Sequence, residues 1–423
     1  MKGLNGYAER SASEKWTMSR MISIVPALSL ALAGCIACVG EAAPANTTAA
    51  EKEAKPMSDL NIHLAIHAEQ VVSARESDRP RCPFMGGDET IPFETKLKYL
   101  DTAEVRAFWL YGFRAAEGTM RDIGLLTEAK RKLEQLGKEA FIVCEPVGHP
   151  CGAPPADSPL FHSPPGTGWR YRVNAGGGFD YGCADIEANL VRDLVAATKS
   201  FRDAGFKKVF FDDDLRLGNW GDAITGCFCD ACIAEFNRLH RKSFTREDLR
   251  QATQDPGLHA EVCEKWMAYN CGKVTEFMKA VNLPGIQIGI MVMHNAGRKH
   301  GVDLPAILAA VPDCLVRVGE GHFNDTGFDS DAGKASLIRS LETHKTIVND
   351  VSRTYSENTV DPWPKLRPEN MAQKLLIEVE HGLRNIMLMP PPLLDAPEYW
   401  EAIARVLPEA KAMAAKQDQG AKQ

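Results

Sequence analysis

Eight short apolar runs, separated by stretches with helical periodicity, constrain the fold of this 423-residue chain more than any other feature. Each run is rich in β-branched or aromatic residues and has the length of a buried parallel strand. Glycines such as Gly137 and Gly205, at the end of the intervening stretches, are typical of helix ends. The predicted strands are Ile62 to His67, Val105 to Phe113, Ala140 to Cys144, Lys208 to Phe211, Ile286 to His294, Cys314 to Val318, Thr346 to Val351 and Asn385 to Met389.

This alternation of strand and helix suits either a closed (β/α)8 barrel or an open doubly wound sheet. The first strand is followed by "HAEQVV" rather than by a glycine-rich phosphate-binding turn, which argues against the open sheet. Polar and aromatic residues follow most of the strands. In a barrel the carboxyl ends of all strands meet on one face, where enzymes with this fold keep their active sites. We therefore predict an α/β protein with a (β/α)8 TIM barrel over residues 59–408.

The N-terminus predicts export. Arg20 precedes an apolar run from Ile22 to Ala33, which is too short to span a bilayer but has the length of a signal-peptide core. The run ends in "LAGC", which resembles the lipobox of bacterial lipoproteins, in which the cysteine (here Cys35) is lipidated. The alternative is ordinary secretion with cleavage after Ala45. We expect a protein that is lipid-anchored to the cell envelope, in the periplasm or at the outer membrane, or secreted.

These signals divide the chain outside the barrel. We predict a signal peptide over residues 1–34, with Met18 as an alternative start because the residues before it are polar. Residues 35–58 have the composition of a flexible tether, and residues 409–423, rich in Ala, Lys and Gln, that of a disordered tail. Contact with a membrane is therefore expected through the lipid anchor only.

The charge of the chain restricts its partners. A formal net charge of −7 leaves no basic surface for a phosphate backbone, so we do not expect nucleic acid as a partner. A neutral, polar substrate such as a carbohydrate suits this balance better. The sequence does not indicate the oligomeric state.

Three cysteines in a C-x-C-x-x-C motif follow the predicted fourth strand: Cys227, Cys229 and Cys232. Thiolates this close can share one tetrahedral zinc ion, whereas they make poor disulfides. A closed structural site needs a fourth ligand, and Cys183 stands in the loop after the predicted third strand. The alternative is oxidised cysteine pairs, which an exported protein can form.

The upstream cysteine, together with "CFCDACIAEFNRLH" after the fourth strand, resembles the zinc-containing β-galactosidases of glycoside hydrolase family 42. The resemblance is specific from Cys183 to Trp266 and architectural elsewhere. It implies a barrel fold, glycosidase activity and a structural zinc ion. The zinc ligands that it implies are Cys183, Cys227, Cys229 and Cys232.

The resemblance also implies a place for the catalytic acid/base, at the end of the fourth strand. There the sequence reads "VFFDDDLRLGNW", with Asp214 where barrel glycosidases of this clan have a glutamate. Alternation along the strand predicts Asp212, Asp214 and Arg216 on one side and Asp213 on the other. Burying an unpaired charge is costly, so three consecutive carboxylates indicate catalysis or substrate binding, with a cation site as the alternative.

A glycosidase needs a second carboxylate across the sugar, and the clan places it at the end of the seventh strand. Asp350 is the first candidate there, Glu357 is a later and weaker one, and Glu320 after the sixth strand competes with both. We predict Asp214 as acid/base and Asp350 as nucleophile. Neither Asp350 nor Glu320 matches the family's nucleophile motif, which leaves open inversion, a lyase-like reaction or sugar binding without cleavage.

Polar and aromatic residues near the strand ends complete the predicted site. Those assigned to substrate binding are Asp212, Asp213, Arg216, Tyr111, His67, His294 and Trp220. The leading hypothesis is a glycoside hydrolase of the bacterial envelope that acts on β-linked glycans. The alternatives are a non-catalytic carbohydrate-binding lipoprotein and a metal-dependent hydrolase. The sequence has no H-x-H or H-E-x-x-H spacing in support of the last.

The lipobox prediction is tested by replacing Cys35, whose thiol would carry the lipid. We expect the Cys35→Ala variant to lose lipidation and to accumulate as unprocessed or soluble protein, measured by membrane fractionation and by mass spectrometry of the N-terminal peptide. Cys38→Ala, outside the "LAGC" motif, is the matched control and should leave lipidation unchanged. Lipid-bearing Cys35→Ala protein in the membrane fraction would contradict the prediction.

Overall fold

The computed structural model describes residues 60–72, 92–114, 119–147, 168–212, 215–218, 223–293, 297–319, 321–361, 364–389 and 391–420. The predicted signal peptide and tether lie outside these residues. No helix in the described part of the chain is both long enough and apolar enough to cross a lipid bilayer.

The described chain alternates strands and helices. The strands are β1 Asn61–Ile66, β2 Val105–Arg114, β3 Thr119–Met120, β4 Glu139–Glu145, β5 Tyr171–Val173, β6 Phe179–Ala184, β7 Lys208–Phe211, β8 Gln287–Met293, β9 Leu315–Gly319, β10 Thr354–Ser356 and β11 Asn385–Leu388. The helices are α1 Ala68–Val72, α2 Phe93–Thr102, α3 Ile123–Gln135, α4 Ala188–Asp203, α5 Asp230–His240, α6 Arg246–Gln254, α7 Ala260–Val281, α8 Leu304–Ala310, α9 Asp325–Phe328, α10 Asp331–Val348, α11 Pro368–Glu380 and α12 Pro397–Gly420.

Eight of these strands close a parallel barrel in the order β1, β2, β4, β7, β8, β9, β10, β11. Closure follows from the two partners of β1, which pairs in parallel with β2 on one side and with β11 on the other. The predicted (β/α)8 barrel is therefore confirmed. The other strands lie outside the ring: β3 pairs antiparallel with β2, and β5 and β6 form a separate hairpin between β4 and α4.

Aromatic side chains fill the middle of the barrel. The ring of Trp109 lies 4.9 Å from that of Phe141, 4.8 Å from that of Phe210 and 5.9 Å from that of Tyr355, measured between centroids. Each comes from a different strand, and Trp109 is fully buried. The interior is thus a packed core rather than a pore, as barrels of this size require. Any substrate must bind at the mouth.

The seventh barrel strand differs from the prediction. It is β10, Thr354–Ser356, and the predicted strand from Thr346 to Val351 instead begins as the last turn of α10. The buried residues of α10 include Leu337, Leu341, His344 and Val348, at a spacing that repeats every three or four residues. That period belongs to a helix face, and tertiary packing overrides the β-propensity of "TIV".

The predicted disordered tail is wrong for residues 409–420, which continue α12 to Gly420. Alanine has the highest helix propensity, and Ala410 and Ala414 are fully buried. The buried Arg384 donates hydrogen bonds to the carbonyl of Ala414 (3.3 Å) and to the side chain of Gln417 (2.8 Å). A segment rich in Ala, Lys and Gln can therefore form a packed helix as well as a disordered tail.

Candidate functional site

A buried arginine joins two carboxylates at the carboxyl ends of the strands. Arg317 extends from β9, and its Nη2 lies 2.6 Å from Oδ1 of Asp212 and 3.7 Å from Oε1 of Glu357. Asp212 directly follows β7 and Glu357 directly follows β10, the fourth and seventh barrel strands. The Arg317 side chain is fully buried, and both carboxylates are at least nine-tenths buried. We call Arg317, Asp212 and Glu357 the arginine clamp.

Methionine sulfur atoms also contact the guanidinium of Arg317. Nη1 of Arg317 lies 3.0 Å from the sulfur of Met389 and 3.7 Å from that of Met387, and the guanidinium also contacts Met291. In such low-dielectric surroundings a charge pair attracts strongly, and a charge without its partner is very unfavourable. The clamp therefore fixes Asp212 and Glu357 on the floor of the mouth.

The clamp also limits the distance between its two carboxylates. Because both reach the same nitrogen of Arg317, the two contacting oxygens lie no farther apart than the sum of these two contact distances. The seventh strand thus presents a glutamate close to the acidic segment after the fourth strand. Glutamates and aspartates across such a gap can act on a bond held between them.

Two further predicted substrate residues meet at the mouth. The imidazole of His67, directly after β1, stacks on the ring of Tyr111 in β2, with 4.7 Å between centroids and 16° between planes. Both side chains are buried. Nearby, Arg121 and Glu69 form an ion pair of 3.0 Å. The first and second strands thus contribute an aromatic wall with polar atoms at its rim.

The segment after Asp212 is tied down by arginines. Arg216 is buried and its Nε donates to the carbonyl of Gly218 (2.9 Å). Arg172, from the β5–β6 hairpin, donates to the carbonyl of Arg216 (3.0 Å). A cavity of about 640 Å³ opens beside these residues, lined by Arg172, Asn174, Gly218, Gly226, Phe228 and Gln254 among others. The predicted role of Arg216 in substrate binding stays a prediction, since its observed contacts brace the loop.

The structure contradicts the predicted position of Asp350. This residue precedes β10, and its neighbour Arg353 donates to the carbonyls of Pro312 and Cys314, just ahead of β9, so it lies at the amino ends of the strands. Burial opposes its ionisation, but hydrogen bonds from Ser352 and Arg353 outweigh it and lower the pKa of Asp350. Asp350 caps the turn at Val351–Arg353 and cannot reach a substrate at the opposite face.

Asp350 also lines a different cavity from the mouth. This cavity has about 300 Å³ and lies between α10 and α11, with His344, Lys345 and His381 among its lining residues. The remaining predicted site residues lie outside the described part of the chain, and their roles stay predictions. They are Asp213, Asp214, Trp220, His294 and Glu320.

The sequence analysis did not single out Arg317, and it placed Asp350 rather than Glu357 at the end of the seventh strand. Arg317 stands in the run "CLVRVGE", where a lone charge within a buried strand needs a partner inside the barrel. That signal was present in the sequence. Glu357 was ranked below Asp350 only because the seventh strand was placed before Val351 instead of at Thr354–Ser356.

The three cysteines form a compact cluster with a fourth potential ligand. One ligand atom each of Asp185, Cys227, Cys229 and Cys232 lies within 4.8 Å of all the others. Asp185 follows the β5–β6 hairpin and is fully buried, as are Cys227 and, nearly, Cys232. The side chain of Cys183 is outside the described residues, so its predicted ligand role stays a prediction. Three sulfur atoms and one carboxylate oxygen suit a tetrahedral metal site.

Two cations surround this cluster. Arg170 Nη2 lies 3.0 Å from Asp185, and the Lys273 ammonium contacts Asp185 and lies 3.3 Å from the sulfur of Cys232. Burial lowers the pKa of Lys273, but the charge of Asp185 and the neighbouring thiols outweighs this effect and raises the pKa above its usual value. The ammonium therefore stays charged. Hydrogen bonds from Cys227 and Cys232 lower the pKa of Cys229, whereas the pKa values of Cys227 and Cys232 themselves are raised, in part by hydrogen bonds with Cys229 and by burial. The two cations therefore lie beside one thiol that favours the thiolate form and beside the buried carboxylate of Asp185.

The cluster joins the loops that follow the third and fourth barrel strands. Phe228, between the cysteines, donates from its backbone to the carbonyl of Val173 in β5 (2.7 Å). Cys232 lies in α5 and Lys273 in α7, so both helices also converge on Asp185. A metal ion here would bind where no barrel strand ends and would act structurally, by holding the two loops together.

Comparison with known proteins supports the fold. No protein-family model matches the chain, and no curated protein matches it. The structure of the PgaB (BpsB) glycoside hydrolase domain from Bordetella bronchiseptica superposes with a TM-score of 0.52 at 12% identity, covering 84% of this chain and 98% of that one. At this identity the likeness concerns the barrel fold alone.

Other barrels overlap less well. The spore cortex-lytic enzyme SleL of Bacillus megaterium QM B1551 superposes with a TM-score of 0.40 at 10% identity, covering 81% of this chain and 73% of that one. A GH18 chitinase from Pseudoalteromonas aurantia gives a TM-score of 0.39 at 9% identity, with 82% and 100% of the two chains covered. These scores are too low to support an argument, and we draw none from them.

The arginine clamp predicts a large loss of stability when its cation is removed. Arg317→Met takes away the buried cation that Asp212 and Glu357 both contact, so we expect the free energy of unfolding to fall by about 3–5 kcal/mol, measured by urea denaturation at neutral pH. Arg250→Met, which removes an exposed ion pair with Glu247, is the control and should change stability far less. If both variants lowered the free energy of unfolding equally, the clamp would stabilise the protein no more than an exposed ion pair does.

Proposed function

We propose that this protein is a glycoside hydrolase whose active site is the mouth around the arginine clamp. The clamp carries the proposal, because it brings a glutamate after the seventh strand beside the acidic segment after the fourth strand. Enzymes with this fold keep their chemistry on that face. The described glycoside hydrolase activity of the PgaB domain, which shares the barrel over 98% of its length, supports the same reaction class.

We assign the nucleophile to Glu357 in place of Asp350. The guanidinium of Arg317 lies 3.7 Å from Oε1 of Glu357 and holds this carboxylate at a fixed position at the mouth, as a nucleophile needs. The acid/base role stays with Asp214, two residues beyond the clamp member Asp212. Asp212 itself bonds to Arg317 and therefore suits an anchoring role more than proton transfer.

These roles give a two-step reaction. Glu357 attacks the anomeric carbon while Asp214 protonates the glycosidic oxygen, so the leaving sugar departs as an alcohol and a glycosyl ester forms. Asp214 then takes a proton from water, and the water oxygen attacks the anomeric carbon and releases Glu357. A reaction through a glycosyl ester inverts the anomeric carbon twice, so we expect net retention of configuration.

The substrate and location are further parts of the proposal. The net charge of −7 suits neutral glycans, and the resemblance around Cys183 to Trp266 favours β-linked ones, galactosides included. The "LAGC" motif supports a location at the bacterial envelope or outside the cell. Binding of glycans without turnover is the alternative function, and the same assays distinguish the two.

The catalytic assignment is tested on aryl and natural β-glycosides. We expect Asp214→Asn to lower kcat by about 10²–10⁴-fold on a natural glycan, and much less on an aryl glycoside whose leaving group needs no proton. Glu357→Gln should abolish turnover of both. In Glu357→Ala, added azide fits the vacated space and should restore turnover with formation of a glycosyl azide.

Asp350→Asn is the matched control for these variants, because Asp350 lies at the amino ends of the strands. It should keep wild-type kcat and KM. Full activity of Asp214→Asn on a natural glycan would refute the acid/base assignment. Loss of turnover in Glu320→Gln together with full activity of Glu357→Gln would move the nucleophile to the sixth strand. Glycan binding without turnover by the wild type would support the non-catalytic alternative.

We further propose that the cysteine cluster binds a structural zinc ion, with Asp185 as the fourth ligand. Zinc accepts three thiolates and a carboxylate in tetrahedral geometry. Three thiolates and one carboxylate carry four negative charges, which a divalent ion together with Lys273 and Arg170 neutralises. No step of the reaction involves the ion. It would contribute to folding, because such sites do not exist in the unfolded chain.

Metal analysis tests this site. We expect about one equivalent of zinc in the purified protein, and loss of zinc with a clearly lower melting temperature in Cys229→Ser and Asp185→Asn. Cys263→Ser is the control, since Cys263 is buried but lies outside the cluster. Less than about half an equivalent in the wild type would refute the zinc proposal. Zinc loss in Cys183→Ser with retention in Asp185→Asn would return the fourth ligand to Cys183.

A further inference from the structure

A fully buried ion pair lies behind the seventh barrel strand. Nζ of Lys374 and Oε1 of Glu378, both on α11, are 3.8 Å apart, and neither side chain is exposed. A buried ion pair is commonly no more stable than two apolar side chains of the same volume. Stability alone therefore does not explain why the chain places these two charges here, and their contacts indicate what they do.

The ammonium of Lys374 connects the ends of two strands. It donates to the backbone carbonyl of Glu357 (2.8 Å), after the seventh strand, and to that of Gly321 (3.2 Å), after the sixth. It also lies 5.3 Å from the centre of the Phe323 ring, in the same turn as Gly321. One buried cation thus holds the backbones of both turns.

The carboxylate of Glu378 extends the same network. Its Oε2 accepts a hydrogen bond from Nδ2 of Asn358 (2.9 Å), and that amide nitrogen also lies 2.9 Å from Oγ of Ser356. Ser356 and Asn358 flank Glu357, and both are fully buried or nearly so. We call Lys374, Glu378, Asn358 and Ser356 the lysine network.

The turn after the sixth strand needs such support. Gly321 and the following His322 both have left-handed backbone conformations, with φ of 73° and 61°. A histidine adopts this conformation only when its surroundings hold it there, and residues of this kind cluster at functional sites. The bond from Lys374 to the Gly321 carbonyl belongs to that support. The same turn follows Glu320, the competing nucleophile of the sequence analysis.

We propose that Lys374 is a positioning residue, which fixes the turn that carries Glu357 at the mouth and the turn at Gly321 and His322. It acts through the backbone and touches no substrate. The catalytic consequence rests on the proposed glycosidase function, whereas the structural consequence does not. Glu378 supplies the countercharge that keeps the ammonium buried and anchors the residue after Glu357.

The test removes both charges together. In Lys374→Met/Glu378→Gln no unpaired charge remains, and the new glutamine can still accept from Asn358, so we expect a melting temperature within a few degrees of wild type. Hydrogen exchange should become faster in peptides covering 321–325 and 354–361. We expect kcat to fall about 10–100-fold with little change in KM, because the nucleophile is still present but is held less precisely in its reactive position.

A conservative variant and a matched control complete the design. Lys374→Gln/Glu378→Gln keeps N–H donors for the two carbonyls and should recover part of kcat and of the exchange protection. Lys96→Met/Asp395→Asn removes another buried lysine–carboxylate pair, between α2 and the turn after β11, and should leave exchange in both turns unchanged.

The outcomes separate this inference from the proposed function. Unchanged exchange in both turns of Lys374→Met/Glu378→Gln overturns the positioning role, whatever the activity. Unchanged kcat in that variant, with an active wild type, also overturns it. A wild type without turnover refutes the glycosidase proposal, and the exchange measurement still decides whether Lys374 holds the turns.

Discussion

The guanidinium of Arg317 is buried in the barrel interior, and the arrangement of the mouth depends on its neutralisation. A cation in such surroundings is tolerated only when carboxylates reach it, and Asp212 and Glu357 do so from strands that are far apart in the sequence. The aromatic residues below, with Trp109 at their centre, exclude water from the barrel. Without water to solvate the guanidinium, carboxylates must neutralise its charge. The core therefore dictates which acidic residues meet at the mouth.

Two separate devices then hold the loops around that floor. On one side, the cluster of Asp185 with three cysteines ties together the loops after the third and fourth strands. On the other side, Lys374 ties together the turns after the sixth and seventh strands. Both use buried charge, and the bond from Lys374 acts on the backbone of Glu357 itself. Loops without regular hydrogen bonding need such anchors if a site must stay within a fraction of an ångström of its working geometry.

Local patterns in the sequence were sufficient to predict most of the fold. Seven of the eight barrel strands lie where apolar runs predicted them, because a buried parallel strand is apolar along its whole length. The run "TIV" at the end of α10 was the exception, since three β-branched residues can close a helix as well as form a strand. Because of this difference, Asp350 lies before the seventh strand, and Glu357 is the acidic residue that directly follows it.

The sequence by itself determined the strand–helix alternation, the cysteine motif and the acidic segment after the fourth strand, since each is a pattern among near neighbours. Only the tertiary structure decided which charges pair. Asp212 and Arg317 are separated by 105 residues, and Asp185 and Cys232 by 47. Such pairs exist because the barrel closes and brings strand ends together. Closure depends on the whole chain, whereas periodicity depends on a few residues at a time.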